Sequence, residues 1–543
     1  MTHLALTLGP ITRTLTAARF TRELWSASYV LSWLSKEIIR RLREDKRRQF
    51  IIPYPDDENV FRDDCDAKPA KYKLGAGLFP DRIIFSTTIE DDFALTSGII
   101  REVIQLLATE TADHLNIFGK EREKLATFLD RYFHIFLIEQ ELKDGDNPVL
   151  ALSPLLNAIE WQQSFSPVNQ RYLALLFDRS TKSFLVKDGF CKEKHSFETL
   201  IEIALRDYEE HPKYLQFRSE RTGLYDTETL KTSASETTVE EEDDTLTEVV
   251  DKENKEGKNL DNQILSAVKK ANKETFKVAH KYVAIVQSDG DNVGKIIETL
   301  KGNQFRDFSQ DLHEFALESV EDVSDYGGMP VYAGGDDLLF FAPVVRGDDH
   351  IFRLLKKLDD KFKARFKNYN TNPPPSLSFG VSISYYKYPL AEALDTAIRD
   401  LLFGKAKHTG QKNNAAWQLL KHSGAAFGGV YALNGATFAE MMSILQEGVE
   451  EKQEMLSSII YKIRENENLF GLLGAGDPEA LGHFIKNSFN EPGHEKETVQ
   501  AFFEAVKRLI AAAFQEAPDT KTALGNLYGT LRLVSFLQQK DLK

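Results

Sequence analysis

Two short carboxylate-rich runs sit at the ends of apolar stretches. Ser288-Asp289-Gly290-Asp291-Asn292 closes the run KYVAIVQ, and Gly334-Gly335-Asp336-Asp337 separates PVYA from LLFFAPV. Aspartates brought together at a sheet edge repel one another and lose hydration unless a cation compensates them. All-oxygen donors select Mg²⁺ or Mn²⁺. A pair of such ions can bridge triphosphate oxygens, lower the pKa of an attacking hydroxyl and neutralise departing pyrophosphate, which is the scheme of nucleotidyl transfer. Asp289, Asp336 and Asp337 are therefore the candidate catalytic and metal-binding residues. Gly334 and Gly335 permit a sharp turn and a close backbone approach by a nucleotide. Gly290, Asp291 and Asn292 complete the nucleotide-binding candidates around these aspartates.

Neither run is decisive alone. A bare GGDD is more often a hairpin turn than an active site. The DGDN run fails as a calcium loop, because Val293 holds a usual ligand position and Leu300 stands where the bidentate glutamate belongs. It fails as a phosphate loop, because the glycine spacing is one residue short and Ile296 replaces the metal-binding Ser or Thr. The two runs acquire meaning from the elements that carry them.

Those elements read strand KYVAIVQ, helix after Gly294, strand PVYAG, strand LLFFAPV, helix HIFRLLKKLDDKFKARF, strand SLSFGVSISYY. This β-α-β-β-α-β order is that of a ferredoxin-like palm, in which the first and third strands are adjacent and antiparallel. Asp289 at the end of the first strand is thereby expected beside the Asp336-Asp337 hairpin. Toward the N-terminus, HLALTL alternates like a strand, GP breaks it, and an amphipathic helix follows with Leu24, Leu31, Leu34, Ile38 and Leu42 near one face. FIIPY, RIIFSTT and FHIFLIEQ are further strands, with helices near residues 90–130 and 150–175. From Gly435 onward the period is helical.

The expected fold class is α+β, with two ferredoxin-like palms and a C-terminal helical bundle. The boundaries are an N-terminal palm with helical insertions over 1–225, an acidic linker over 226–262, the catalytic palm over 263–434 and the helical domain over 435–543. The linker's core, Ser233 to Lys258, is acidic, polar and free of aromatic residues.

Composition fits this division. At 543 residues the chain exceeds one ordinary core. With 42% hydrophobic and 28% charged residues it has a globular balance, and no apolar run is long enough to span a bilayer. A net charge of -15 argues against coating nucleic acid by charge alone. The basic cluster Arg40, Arg41, Arg43, Lys46, Arg47 and Arg48 has two readings, a solvated helix face and a contact for RNA or a neighbouring subunit. Cys65 and Cys191 cannot supply a four-ligand zinc site, and a reducing cytoplasm is expected.

DGDNVGK and YAGGDDLLFF, in this order within a palm, resemble the Cas-ten proteins, the large subunits of type III CRISPR complexes, especially the Cmr branch. TLGPITRTLTAARFTRELWSASYVLSWL is similar to the start of that branch's first palm, through Gly9, Pro10, Ala18, Arg19, Thr21, Arg22, Leu24, Trp25, Ser28, Tyr29 and Ser32. The resemblance implies a pocket between the palms in which ATP is joined through a 3′-hydroxyl to a second nucleotide when target RNA is bound. Cyclic oligoadenylate is the expected product. It also implies guide CRISPR RNA, target RNA and other Cmr-type subunits as partners. GKAKHTGQKN resembles the family's basic segment beside the triphosphates, which assigns Lys407 and Lys412 to phosphate contact, and Ser28 joins the nucleotide-binding set. Their plainer reading is that the lysines are solvated on a loop.

The sequence also departs from that family. The first palm begins at about residue 4 and no His-Asp dipeptide occurs, so HD nuclease activity is not expected; nor is the cysteine-rich module often found between the palms. Three other readings compete. A diguanylate-cyclase-like enzyme requires Glu-Phe after the carboxylate, but Leu338 follows Asp337, and residues 325–333 lack the arginine of its inhibitory site. A non-catalytic scaffold leaves clustered carboxylates unexplained. Conjugation of AMP to S-adenosylmethionine needs the same metal ions and stays open.

Overall fold

In this computed structural model the described residues are 1–54, 57–161, 172–173, 176–177, 183–193, 195–212, 214–216, 218, 260–369, 371–407, 412–421, 424–447, 453–469, 483, 487 and 497–541. The acidic stretch 233–258 lies outside them, as do residues 162–171 of the helix expected near 150–175.

Apolar alternation and a proline break set the first unit. Strand β1 (Thr2–Gly9) ends at Pro10, a short helix α1 (Ile11–Thr16) follows, and α2 (Thr21–Leu42) runs back along the sheet. Strands β2 (Arg48–Ile52) and β3 (Arg82–Thr87), helices α3 (Asp92–His114) and α4 (Gly119–Tyr132), and strand β4 (His134–Glu141) complete it. The sheet order is β2-β3-β1-β4, all antiparallel, which is the ferredoxin-like order. Leu4, Leu6 and Leu8 enter one core with α2, while Ala5 enters the other.

Helix α2 departs from a simple amphipathic helix, since most of its residues, serines included, are buried. Its polar stripe is used internally. Ser32 Oγ accepts the Phe79 N–H at 2.9 Å and Ser35 Oγ donates to Pro80 O at 2.7 Å. Ser28, one turn earlier on the same face, is also buried. These bonds fix a strap, residues 57–81, that crosses to the second palm. There Gly77 donates to Val331 O at 3.2 Å and accepts from Ala333 N at 2.8 Å.

Helix α5 (Pro148–Glu160) follows, capped by Asn147, whose side-chain oxygen accepts from Val149 N at 3.1 Å and Leu150 N at 3.2 Å. The Asn147 amide also donates to Ile297 O in the second palm at 2.7 Å. Asn147→Ala removes a cap and an inter-palm bond together, so a loss of about 1–2 kcal/mol is expected, read as a shift in the urea midpoint at constant slope. A short helix α6 (Phe184–Phe190) then packs on α2.

The second palm comprises β5 (Tyr282–Asp291), α7 (Val293–Thr299), α8 (Gln304–Asp325), β6 (Met329–Gly334), β7 (Asp337–Pro343), the small hairpin β8 (Val345–Arg346) and β9 (Asp349–His350), α9 (Ile351–Phe366) and β10 (Ser376–Tyr385). After α10 (Leu390–Asp395) comes a π-helix, Thr396–Ala406, then strands β11 (Asn414–Leu420) and β12 (Ala426–Ala432). The sheet order is β12-β11-β10-β5-β7-β6. Its last four members are the expected palm. The sequence reading missed β11 and β12, and it read one helix where α7 and α8 are two.

Helices α11 (Ala436–Glu447), α12 (Gln453–Glu465), α13 (Glu497–Glu516) and α14 (Thr520–Gln538) share one core with the second palm. Tyr431 of β12 donates to Thr530 Oγ1 at 2.9 Å in that core. No helix among the described residues is long and apolar enough to cross a membrane.

The five arginines of the basic cluster form ion pairs. Arg40 meets Glu37 and Asp63, Arg41 meets Glu102, Arg43 meets Glu58 and Arg47 meets Asp45. Arg48 and Asp92 form a buried pair. These pairs set the arginines against carboxylates, unlike either a free phosphate-binding surface or the purely solvated helix face read from the sequence.

Candidate active site

Strand alternation sorts the carboxylates. On the second sheet, Val283, Ile285, Leu339 and Phe341 join the core shared with the first palm, and Ala284, Val286, Leu338 and Phe340 join the core under the helices. Asp289 and Asp337 continue the first set by the two-residue period. The β5–β7 ladder ends at Ser288↔Leu338, so Asp289 and Asp337 stand opposite each other at the next step, facing the first palm.

Asp336 occupies a different place. Gly334 pairs with Asp337, which leaves Gly335 and Asp336 as a two-residue turn, with Gly335 at φ +81 as a primed hairpin turn requires. The Asp336 carboxylate lies against the Gly290 backbone. A Cβ on Gly290 would lie 2.6 Å from Asp336 Cβ, so glycine is what lets hairpin and strand meet. The three aspartates expected to converge are thus divided, two on one face and one in the turn. Among the described residues no group of three or more His, Cys, Asp or Glu side chains is placed to hold a metal ion unaided.

Asp291 is fully buried, and its Oδ2 accepts from Ser376 Oγ at 3.1 Å, Ser378 Oγ at 2.7 Å and Asn413 N at 2.8 Å. Burial pushes its pKa up, and these three bonds pull against that shift. Its Oδ1 takes no hydrogen bond. Asn292 adopts the left-handed region that asparagine tolerates, φ 65, donates to Pro374 O at 3.0 Å and accepts from Lys412 Nζ at 2.9 Å. Lys407 pairs with the Asp289 carboxylate and stands 3.9 Å from Asp291 Oδ1. Burial lowers the Lys407 pKa to about 8, with the charge of Lys412 adding to the effect. Lys407 and Lys412 therefore both sit on the DGDN run. Ser28 lies across the seam in α2, and Gly334 is covered by the Tyr332 ring, which a Cβ there would strike.

Burial drives the Asp337 pKa well up, and the neighbouring charges of Asp336 and Asp81 add to it. Burial raises Asp336 to about 6. Asp81, immediately before β3 in the first palm, was not singled out from sequence. Its position before RIIFSTT was the available signal. Asp359 was also missed. It is a fully buried carboxylate on the apolar stripe of α9, accepting from Leu377 N at 3.0 Å and Asn413 Nδ2 at 2.8 Å, and so it holds the segment that bonds Asp291. A carboxylate within the stripe Leu355, Leu358, Phe362 was the clue.

Residues 282–416 match the family model described as Cas10/Cmr2, second palm domain, and residues 3–115 match CRISPR-associated protein Cmr2, N-terminal. The chain thus carries a Cas10/Cmr2 second palm domain and a Cmr2 N-terminal domain. The Cmr subunit Cmr2 of a CRISPR system from Pyrococcus furiosus is 35% identical over 173 residues, which cover 27% of this chain and 19% of that protein. The match thus spans less than a fifth of that Cas10/Cmr2 relative. A type III-B Cmr-beta structure bound to cognate target RNA aligns with 99% of this chain and 83% of its own, at 12% identity and a TM-score of 0.50, a likeness of fold.

Proposed function

We propose that this chain is the large subunit of an RNA-guided type III CRISPR complex and that its second palm is an ATP-consuming nucleotidyltransferase. The observation that carries this reading is the placement of Asp289 and Asp337 one step beyond the end of the β5–β7 ladder, on the face toward the first palm, with Lys407 on Asp289. A 3′-hydroxyl attacks the α-phosphorus of ATP, the new phosphodiester replaces the bond to pyrophosphate, and the hydroxyl proton leaves to solvent. Mg²⁺ or Mn²⁺, when bound, would activate that hydroxyl and neutralise the leaving group.

The donors suit such an ion in type. Asp291 Oδ1 takes no hydrogen bond, and the carboxylate pair Asp336 and Asp337 is held at raised pKa by burial without a compensating cation. Mg²⁺ characteristically takes one or two protein carboxylates and completes its shell with phosphate and water, so a closed protein cage, which the described residues do not form, is not required. Asp289 and Asp337 are the proposed ligands, and Lys407 would exchange its carboxylate partner for a triphosphate oxygen. Asp81 also lines a cavity of about 490 Å³ together with Gly9–Arg13, His134 and Arg399.

Guide and target RNA and other Cmr-type subunits are the proposed partners; the similar type III-B Cmr-beta structure is bound to cognate target RNA. The test is mass spectrometry of products from the assembled complex with ATP and Mg²⁺, with and without target RNA and S-adenosylmethionine. Cyclic oligoadenylate appearing only with target RNA is expected; an AMP–methionyl adduct, or no product, would overturn the assignment. In the same assay Lys407→Met is expected to reduce turnover roughly 10-fold, the scale of one lost charged hydrogen bond, with RNA binding unchanged.

A further inference from the structure

The chain contains two cysteines, far apart in sequence, and the fold brings them together. Cys191 ends α6 in the left-handed region, φ 53, and its N–H donates to Lys187 O at 3.0 Å. Cys65 Sγ approaches the same carbonyl oxygen at 4.0 Å. The Cys65 sulfur and the Cys191 backbone thus meet at one carbonyl oxygen, and both residues lie near the buried Tyr29 hydroxyl. A second contact joins the same segments, because a Cβ on Gly75 of the strap would run into the Phe190 ring. Both cysteines are partly exposed, so an oxidant in solution can reach them.

We propose that Cys65 and Cys191 form a reversible disulfide that clasps the strap to α6. The Cys65 sulfur attacks hydrogen peroxide and becomes a sulfenic acid with release of water. The Cys191 sulfur then displaces a second water from it, so two thiols give up two electrons and two protons while the peroxide is reduced to water. The consequence is mechanical. The strap carries Gly77, bonded to β6, and ends at Asp81 beside Asp337, so the clasp immobilises the segment joining the first palm to the GGDD hairpin.

The test is mild oxidation of the full chain with hydrogen peroxide, followed by non-reducing peptide mapping and hydrogen exchange. A Cys65–Cys191 linked peptide is expected, reversed by dithiothreitol, forming about tenfold or more faster than in the urea-unfolded chain because the thiols are pre-positioned. Exchange at residues 57–79 should slow in the oxidised form and stay at the reduced rate in peroxide-treated C65S and C191S. Separate oxidation of the two thiols without a link, cross-linked dimers, equal rates in folded and unfolded chain, or unchanged exchange would each overturn the clasp.

Discussion

Replacing Asp337 with asparagine is expected to cut nucleotide turnover by about 100-fold or more while leaving the fold as stable as before or more so. Second-shell partners of catalytic metals are typically worth 10–100-fold, and a direct carboxylate ligand exceeds that range. Stability responds with the opposite sign. Asp337 is held at raised pKa by burial and by the charges of Asp336 and Asp81, so its ionised form destabilises the metal-free fold. Asparagine keeps the volume and removes the charge. The pH dependence separates this from a packing effect. Between the ordinary carboxylate pKa and the raised folded value, the folded chain holds a proton that the unfolded chain has released. Stability therefore falls as pH rises through that window, about 4 to 6 for the neighbouring Asp336. In EDTA-containing buffer D337N should flatten that slope. D289N should lose turnover similarly but leave Lys407 with only the more distant Asp291 as counter-ion, so no gain in stability is expected there. Undiminished turnover in D337N, with complex assembly intact, would remove Asp337 from the catalytic set.

The palm order was legible because its strands are apolar runs cut by glycine and aspartate, and because sheet adjacency follows from that order. β11 and β12 were not. AFGGVYA carries two glycines that weaken any strand signal, and their use is tertiary: a Cβ on Gly428 would lie 3.1 Å from Gln418 Cα, and one on Gly429 would lie 3.3 Å from Asn526 Oδ1 of α14. Such a strand exists because its neighbours fit against bare backbone, which no window of sequence reveals.

The site divides in the same way. Asp289 and Asp337 followed from strand ends, but the turn position of Asp336 depends on Gly290 lying under it. The anchoring of Asp291 depends on Ser376, Ser378 and Asn413, partners distant in sequence. Lys407 and Lys412 entered through family resemblance, and their packing on Asp289 and Asn292 is a long-range outcome. The arginine cluster misleads as a sequence feature because Glu102 and Asp92, which neutralise Arg41 and Arg48, come from a helix two strands away.

Gly380→Ala tests whether the π-helix sets the position of Lys407. Gly380 lies mid-strand in β10, opposite Gln287 of β5 and Ala416 of β11. A Cβ there would lie 2.7 Å from Leu402 N and 2.9 Å from Leu402 Cβ, and would strike Ala397 O. Two of these obstacles are backbone, so no rotamer change relieves the overlap and the helix itself must move. Leu401, Leu402 and Ala406 form a small core of their own with Ala416, and Lys407 follows directly at the helix end. Displacing the helix therefore loosens that core and pulls Lys407 from Asp289 and from Gly290 O, 3.4 Å away. Overpacking of this kind costs about 1–3 kcal/mol or more. A misplacement of about 1 Å in a positioning group can cost 10²-fold in rate. G380A is thus expected to lower the melting midpoint by several degrees and turnover by roughly 10- to 100-fold. Gly525→Ala is the control, an exposed position in α14 with open space around it, where alanine should stabilise by about 0.5–1 kcal/mol and leave turnover alone. A G380A chain that melts and turns over like the parent would show that the π-helix yields without moving Lys407, and that the lysine is held by its carboxylate partner alone.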